Sequence, residues 1–164
     1  MRVIVAGGGR VGAELAAVLA AAGHDVVVVE VDAGRAADLA RRTAPGRDGA
    51  PAGGGYGTGG AGGGGQDLVT APGSVRVVTG SACVVEVLEE AGALSADALV
   101  ACTGDDAENL VVAALATRLL EVPQVVARCN HEENRWLLDE TWGVGAAVSF
   151  ASALAAALAP GAGR

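Results

Sequence analysis

The stretch RVIVAGGGRVGAELAAVLAAAGHDVVVVE, Arg2 to Glu30, decides the fold. A short apolar run breaks at three consecutive glycines, passes into an alanine- and leucine-rich run of helix length, and ends in four valines and a glutamate. Adjacent glycines cost backbone entropy, so packing alone does not select them where a strand turns into a helix. Gly7, Gly9 and Gly12 make the pattern G-x-G-x-x-G in the context that gives it meaning, directly after a strand and opening a helix. The first glycine permits the tight turn, the second lets backbone amides approach a pyrophosphate, and the third allows the helix to pack on the strand. Phosphate there meets the positive end of the helix macrodipole. Glu30 follows Gly12 by eighteen residues, at the end of the second strand. A carboxylate in that place accepts hydrogen bonds from both ribose hydroxyls and repels a 2′-phosphate, which favours NAD or an adenine nucleotide over NADP. Arg10 is a cation in the helix's first turn, a position the dipole disfavours unless an anion faces it; a bidentate contact to phosphate accounts for it. Asp32 is read as the N-cap of the second helix.

The pattern extends along the chain as alternating β-branched and alanine-rich segments, the rhythm of βαβ units with right-handed crossovers. Six strands are expected, at Arg2–Ala6, Asp25–Glu30, Val75–Val78, Ala98–Cys102, Gln124–Arg128 and Ala146–Ser149, each apolar enough to be covered on both faces. Helices are expected at Val11–Ala22, Ala33–Arg42, Val84–Ala91, Ala107–Leu120 and Glu132–Thr141, with a final one at Phe150–Leu158. The fold class is α/β, a doubly wound parallel six-stranded sheet in the order 3-2-1-4-5-6 with helices on both faces. Residues 1–149 form one domain, and 150–164 a terminal helix and tail whose side chains, apolar nearly all round, call for a neighbour. Twelve of the twenty residues Gly46–Gly65 are glycine, and such a stretch cannot bury enough apolar surface to offset its ordering entropy. It is expected to be a mobile insertion spanning 46–74, not a second domain.

Composition narrows the function. Nineteen Asp and Glu against eleven Arg leave a net charge of −8, which repels nucleic acid. The sequence contains no lysine, which excludes a Walker-type phosphate-binding lysine, a Schiff-base lysine and a Tyr-Lys pair. Three widely spaced cysteines indicate neither a disulfide framework nor a metal knuckle, and fit a reducing cytoplasm. No transmembrane or signal segment is read, so the protein is expected to be soluble. His24 and His131 have no acid or nucleophile at motif spacing, and turn and cap roles are assigned to them. After the fourth strand, Asp105, Asp106 and Glu108 crowd a helix start, where acidic residues serve equally as dipole complements or as ligand contacts.

Taken together, VIVAGGGRVG, VVVVEVD, VVTGSACVVEVLEEAGALSADALVACTGDDAENL and VVARCNHEENRWLLDETWGVGAAVSF resemble the N-terminal nucleotide-binding domain of the Trk and RCK potassium-transport regulators. The resemblance spans nearly the whole chain apart from the glycine-rich stretch. It implies a Rossmann fold that binds NAD(H) or an adenine nucleotide such as ATP or ADP, pairs into a homo-oligomeric ring, and gates a membrane potassium transporter or channel without catalysis. On that reading Gly7, Gly9, Arg10, Val11 and Gly12 contact the phosphates, Glu30 the ribose, Ser81 and Ala82 the adenine side, and Thr103 the region between phosphate and distal ribose. Asp106 and Asn109 also match family positions. Ser81 stands where the family carries aspartate. The family's C-terminal lobe has no counterpart in the sequence, so a separate subunit is expected to supply it, and the protein is placed in the cytoplasm at the inner face of the membrane through its partner. The rival readings are the nucleotide-binding half of an NAD-dependent oxidoreductase and a metabolite sensor with no membrane partner.

Overall fold

The valine-rich segments form strands because branched side chains pack well on a pleat that is covered from both sides. The computed structural model describes residues 1–43, 56–58 and 73–158. In chain order its elements are β1 (Arg2–Ala6), α1 (Arg10–Ala21), β2 (Asp25–Glu30), α2 (Ala33–Thr43), β3 (Tyr56–Thr58), β4 (Val75–Thr79), α3 (Val85–Glu90), β5 (Ala98–Ala101), α4 (Asp106–Arg118), β6 (Gln124–Cys129), β7 (Ala146–Ser149) and α5 (Phe150–Leu158). All pairings are parallel, and the sheet runs β3-β4-β2-β1-β5-β6-β7. The six expected strands therefore stand in the expected order. A seventh, three-residue strand, β3, adds to the edge from within the glycine-rich stretch. The rest of that stretch, read from the sequence as mobile, lies outside the described residues.

Alternation along the central strands fills two layers. Ile4, Val27 and Leu99 face one side and meet Leu88 of α3 and Val112 of α4; Val5, Val26 and Val28 face the other and meet Ala16 of α1 and Leu39 of α2. Adjacent residues of one strand thus belong to opposite cores, which explains why these segments are apolar throughout. Register then aligns the carboxyl ends of the strands. Ala6 lies beside both Val29 and Ala101, Glu30 beside Thr79, and Ala101 beside Ala127. The loops after β1, β2, β4, β5 and β6 consequently open onto one edge, on either side of the point where the winding reverses between β1 and β5.

The fifth expected helix, Glu132–Thr141, is not one helix. It is two 3-10 turns, Glu132–Leu137 and Glu140–Trp142. Only Leu138 of this segment is buried, while Trp136 and Trp142 are 73% and 47% exposed, so no apolar stripe of period 3.6 holds a longer helix down. Asp139 restarts the turn by accepting a hydrogen bond from the Thr141 amide at 2.9 Å. The turn then ends at Gly143, whose φ of +84° and close approach to Thr117 suit glycine alone.

Candidate functional site

Close contacts with the chain itself require glycine at two positions of the loop and not at a third. Gly7 has φ +108°, and a Cβ there would lie 2.9 Å from the Cys102 carbonyl oxygen. A Cβ on Gly12 would lie 1.9 Å from the Gly7 carbonyl oxygen, so α1 can start directly under the turn only without a side chain. Gly9 differs. It is exposed, with φ −64° and ψ −175°, which any L-residue adopts, and a Cβ there would meet nothing within 4 Å. Among the described residues nothing imposes a steric need for that glycine. It is the N-cap of α1, no side chain caps this helix start, and the first turn carries no acidic residue. The amides left over at such a helix start, together with the dipole, form an anion seat.

Glu30 is only 3% exposed. Its Oε2 accepts from the Gly8 amide at 2.9 Å, and its Oε1 from the Asp32 amide at 2.8 Å and from Arg35 Nη2 at 2.9 Å. The carboxylate thus ties the end of β2 to the glycine loop as well as facing the cleft. Arg35, more than half exposed, is held above its ordinary pKa first by the hydrogen bond it donates to Glu30 and then by that residue's charge. Asp32 caps α2 as expected, accepting from the Arg35 amide at 2.7 Å.

Across the switch point, Asp105 caps α4 by accepting from the Ala107 and Glu108 amides. Asn109, fully buried, accepts from the Thr103 amide at 2.8 Å and its hydroxyl at 2.9 Å, and donates to the Arg128 carbonyl at 2.9 Å. Asp106, 8% exposed, accepts from the Asn130 amide at 2.6 Å and side chain at 2.9 Å, the His131 amide at 3.0 Å and the Asn134 side chain at 2.9 Å. Burial pushes the Asp106 carboxyl up, but these hydrogen bonds outweigh it and hold the group below the usual carboxylate range. The sequence offered a cap or ligand role for Asp106; the structure makes it the clasp between α4 and the loop after β6.

These parts enclose a cleft of about 340 Å³ at the carboxyl edge of the sheet. Of the nine residues expected in a site, Gly7, Gly9, Arg10, Val11, Glu30, Ser81, Ala82 and Thr103 all line it, and Gly12 packs beneath Gly7. Arg10 stands at its mouth, 90% exposed in its side chain and 3.4 Å from Glu14. Arg35 and Arg128 also line the cleft and were not singled out from the sequence. The signal for Arg128 was a cation at the end of an otherwise apolar strand, VVAR. Cys83 and Cys102 border the cleft as free thiols, and burial pushes both above the ordinary thiol pKa. Cys129 donates its thiol to the His131 carbonyl at 3.0 Å, and His131 sits at the start of the Glu132–Leu137 turn without a side-chain cap bond. Among the described residues no helix is long and apolar enough to cross a membrane.

A doubly wound parallel sheet, a glycine turn under an uncapped helix start and a carboxylate at the end of the second strand define a Rossmann-type α/β domain. The chain belongs to the TrkA-N domain family, whose model matches residues 3–50 and 67–150. Among curated relatives it is 32% identical over 155 residues to the Trk system potassium uptake protein TrkA of Mycobacterium tuberculosis, covering 94% of this chain and 56% of that protein. It is 29% identical over 136 residues to a TrkA homolog of Methanothermobacter thermautotrophicus, covering 81% of this chain and 49% of that one. The chain thus spans about half the length of these relatives. Among solved structures, the GsuK RCK domain superposes with a TM-score of 0.64 at 25% identity, over 96% of this chain and 27% of that one. GsuK bound to ADP gives 0.63 at 25% identity, over 96% and 32%. The TrkA-N domain of ybaL from Escherichia coli matches with a TM-score of 0.68 at 20% identity, over 95% and 92%, and bears on the fold.

Proposed function

We propose that this chain is a nucleotide-binding regulatory module of a potassium uptake system or channel, which takes NAD(H) or an adenine nucleotide and catalyses no reaction. The observation that carries the reading is Gly9: a glycine with open space above it, at an uncapped helix start facing the cleft, leaves room for a ligand's phosphate rather than for the protein itself. Glu30 supports it from the ribose side, and Ser81 and Ala82 offer the adenine side. The cleft's arginines suit the holding of an anionic ligand, and its two thiols are pushed toward the neutral form. That relatives are named potassium uptake proteins, and that a structural neighbour was solved bound to ADP, supports the regulatory role and the ligand class.

Regulation on this reading is a population shift: nucleotide binding changes the arrangement of paired domains, and a membrane partner reads the change. The pairing element is α5, which exposes Phe150, Leu154 and Leu158 at 68%, 61% and 86%, spaced four residues apart on one face. Residues 1–149 are the nucleotide unit and 150–164 the assembly element. The partner is a membrane potassium transporter or channel subunit, and the protein works in the cytoplasm against the membrane.

The test is Gly9→Ala beside Gly12→Ala. Gly9→Ala should fold with an unchanged Tm and lose nucleotide binding in calorimetry, because its Cβ occupies space that only a ligand uses. Gly12→Ala should fail at the level of folding. Gly9→Ala binding NADH, ADP and ATP as tightly as the wild type does would remove the basis of the reading. NADH oxidation at ordinary enzyme rates in a substrate screen would restore the oxidoreductase.

A further inference from the structure

The terminal helix is held at its start by a distant part of the chain. Helix α5 has no buried residue and no acidic residue in its first turn. Ser149, the last residue of β7, accepts from the Ser152 amide at 3.3 Å in the manner of an N-cap. The carboxylate that completes this arrangement is Glu132, twenty residues before Ser152: Ser152 Oγ donates to Glu132 Oε1, and the Ser149 hydroxyl bonds to the same side chain. A negative charge beside the first turn faces the positive end of the helix dipole, so Glu132 anchors the start of α5.

Glu132 is in turn placed by the rim of the cleft. The donors that Asp106 gathers belong to Asn130, His131 and Asn134, which bracket Glu132 in the chain. Asn130 also donates its side-chain amide to the Thr103 carbonyl at 3.2 Å, while Asn109 accepts from the Thr103 amide at 2.8 Å. Thr103 lines the cleft. Hydrogen bonds thus lead from Thr103 through Asn130 and Asp106 to the turn that carries Glu132, and from Glu132 to Ser149 and Ser152. Asp106 is 8% exposed and Ser149 4%, so water does not readily replace the bonds made at those two points. The other partner of Glu132 is Arg135, at 3.6 Å, in a pair open to water that contributes little to holding it.

We propose that Glu132 is the latch through which the cleft governs α5: a ligand that holds Thr103 steadies the turn after β6, keeps Glu132 under the first turn of α5, and so strengthens self-association through that helix. The inference rests on the nucleotide reading given above and adds the residue that carries the signal. The two states differ at one joint. With the latch closed, Phe150, Leu154 and Leu158 are presented in a fixed direction. With it open, no side-chain hydrogen bond among the described residues joins α5 to the loop after β6, and association must first order the helix, which costs conformational entropy. By linkage, self-association raises nucleotide affinity by the same factor as nucleotide raises self-association.

The experiment is sedimentation of the full chain over a range of protein concentrations, with and without saturating ADP or NADH, beside calorimetry of the same ligands at low protein concentration. In the wild type, ligand should tighten self-association by about fivefold or more, the lower end of the usual coupling between two sites. Glu132→Ala should still bind ligand, and its self-association should differ by less than about twofold with and without it. Ser152→Ala removes the same bond from the helix side and should behave alike, while Glu132→Gln, which keeps an acceptor oxygen without the charge, should fall between. Glu133→Ala, at an exposed neighbouring carboxylate, should keep the wild-type factor. A Glu132 that only caps α5 would, on truncation, weaken association equally with and without ligand, and that result overturns the latch. So does a wild-type chain whose self-association is the same in both conditions. In either case nucleotide binding itself stands. Absence of binding by every nucleotide tested would instead remove the functional reading along with the inference.

Discussion

Replacing Asp106 with alanine removes one acceptor from four donors and tests how the distal wall of the cleft is held. Two of those donors, on Asn130 and Asn134, are side-chain amides that can turn to solvent. The other two are the backbone amides of Asn130 and His131, at 2.6 and 3.0 Å, which are fixed by the chain and stand in a partly buried position. Leaving a partly buried backbone donor without its charged acceptor costs about 1–1.5 kcal/mol, at the lower end of the range because water has some access. The pair gives a loss of about 2–3 kcal/mol, or a Tm lower by about 4–12 °C for a domain of this size. The acid limb supplies a second signature. The Asp106 carboxyl is depressed on folding, so its contribution is fully present above its unfolded pKa and is lost as pH falls through its folded value. Wild-type stability should therefore decline below about pH 4, and the variant's curve should lack that component. Urea unfolding followed by circular dichroism from pH 7 to pH 3 measures both, with an unchanged m-value confirming that the same surface unfolds. A loss below about 0.5 kcal/mol at pH 7, or an acid limb identical to that of the wild type, would refute the clasp.

Arg10→Ala should weaken nucleotide binding by about 1.5–3 kcal/mol with Tm unchanged, since the side chain is exposed and a phosphate is the anion it would serve; equal affinity in calorimetry would show a merely solvated arginine. Glu30→Ala should lower both ribose-dependent affinity and stability, the latter by about 1–3 kcal/mol, because three donors lose a buried acceptor; comparing nucleotide binding with urea unfolding separates the two effects. Gly12→Ala should destabilise by about 3 kcal/mol or more, as its Cβ would lie 1.9 Å from a backbone oxygen that cannot move freely, and insoluble or molten protein is the expected outcome on purification. Truncation after Ser149 should weaken self-association in sedimentation without unfolding residues 1–149, because α5 holds no buried residue; a shared loss of Tm would mean that the helix packs on its own domain.

The sequence by itself determined the sheet and the near side of the cleft. Branched runs of strand length, the G-x-G-x-x-G turn and a carboxylate eighteen residues on are local patterns, and local patterns are legible because each element's period and each turn's steric need are written in adjacent residues. The six expected strands stand in the order 3-2-1-4-5-6, and Gly7, Gly9, Arg10, Val11, Glu30, Ser81, Ala82 and Thr103 line one cleft. Tertiary structure alone decided the rest. Strand β3 sits on the sheet because β4 offers an open edge, which glycine-rich composition cannot announce. The segment after His131 broke into two turns because Asp139 restarts the chain and Leu138 alone is buried, features that depend on what the rest of the fold presents to it. Asp106 and Arg128 were the least legible. One is a clasp only because its donors, twenty-four to twenty-eight residues away, are brought beside it, and the other faces a cleft only because the β5–β6 register sets it next to Cys102. A side chain's role as clasp or as cleft lining is fixed by neighbours distant in sequence, and only folding brings those neighbours within reach.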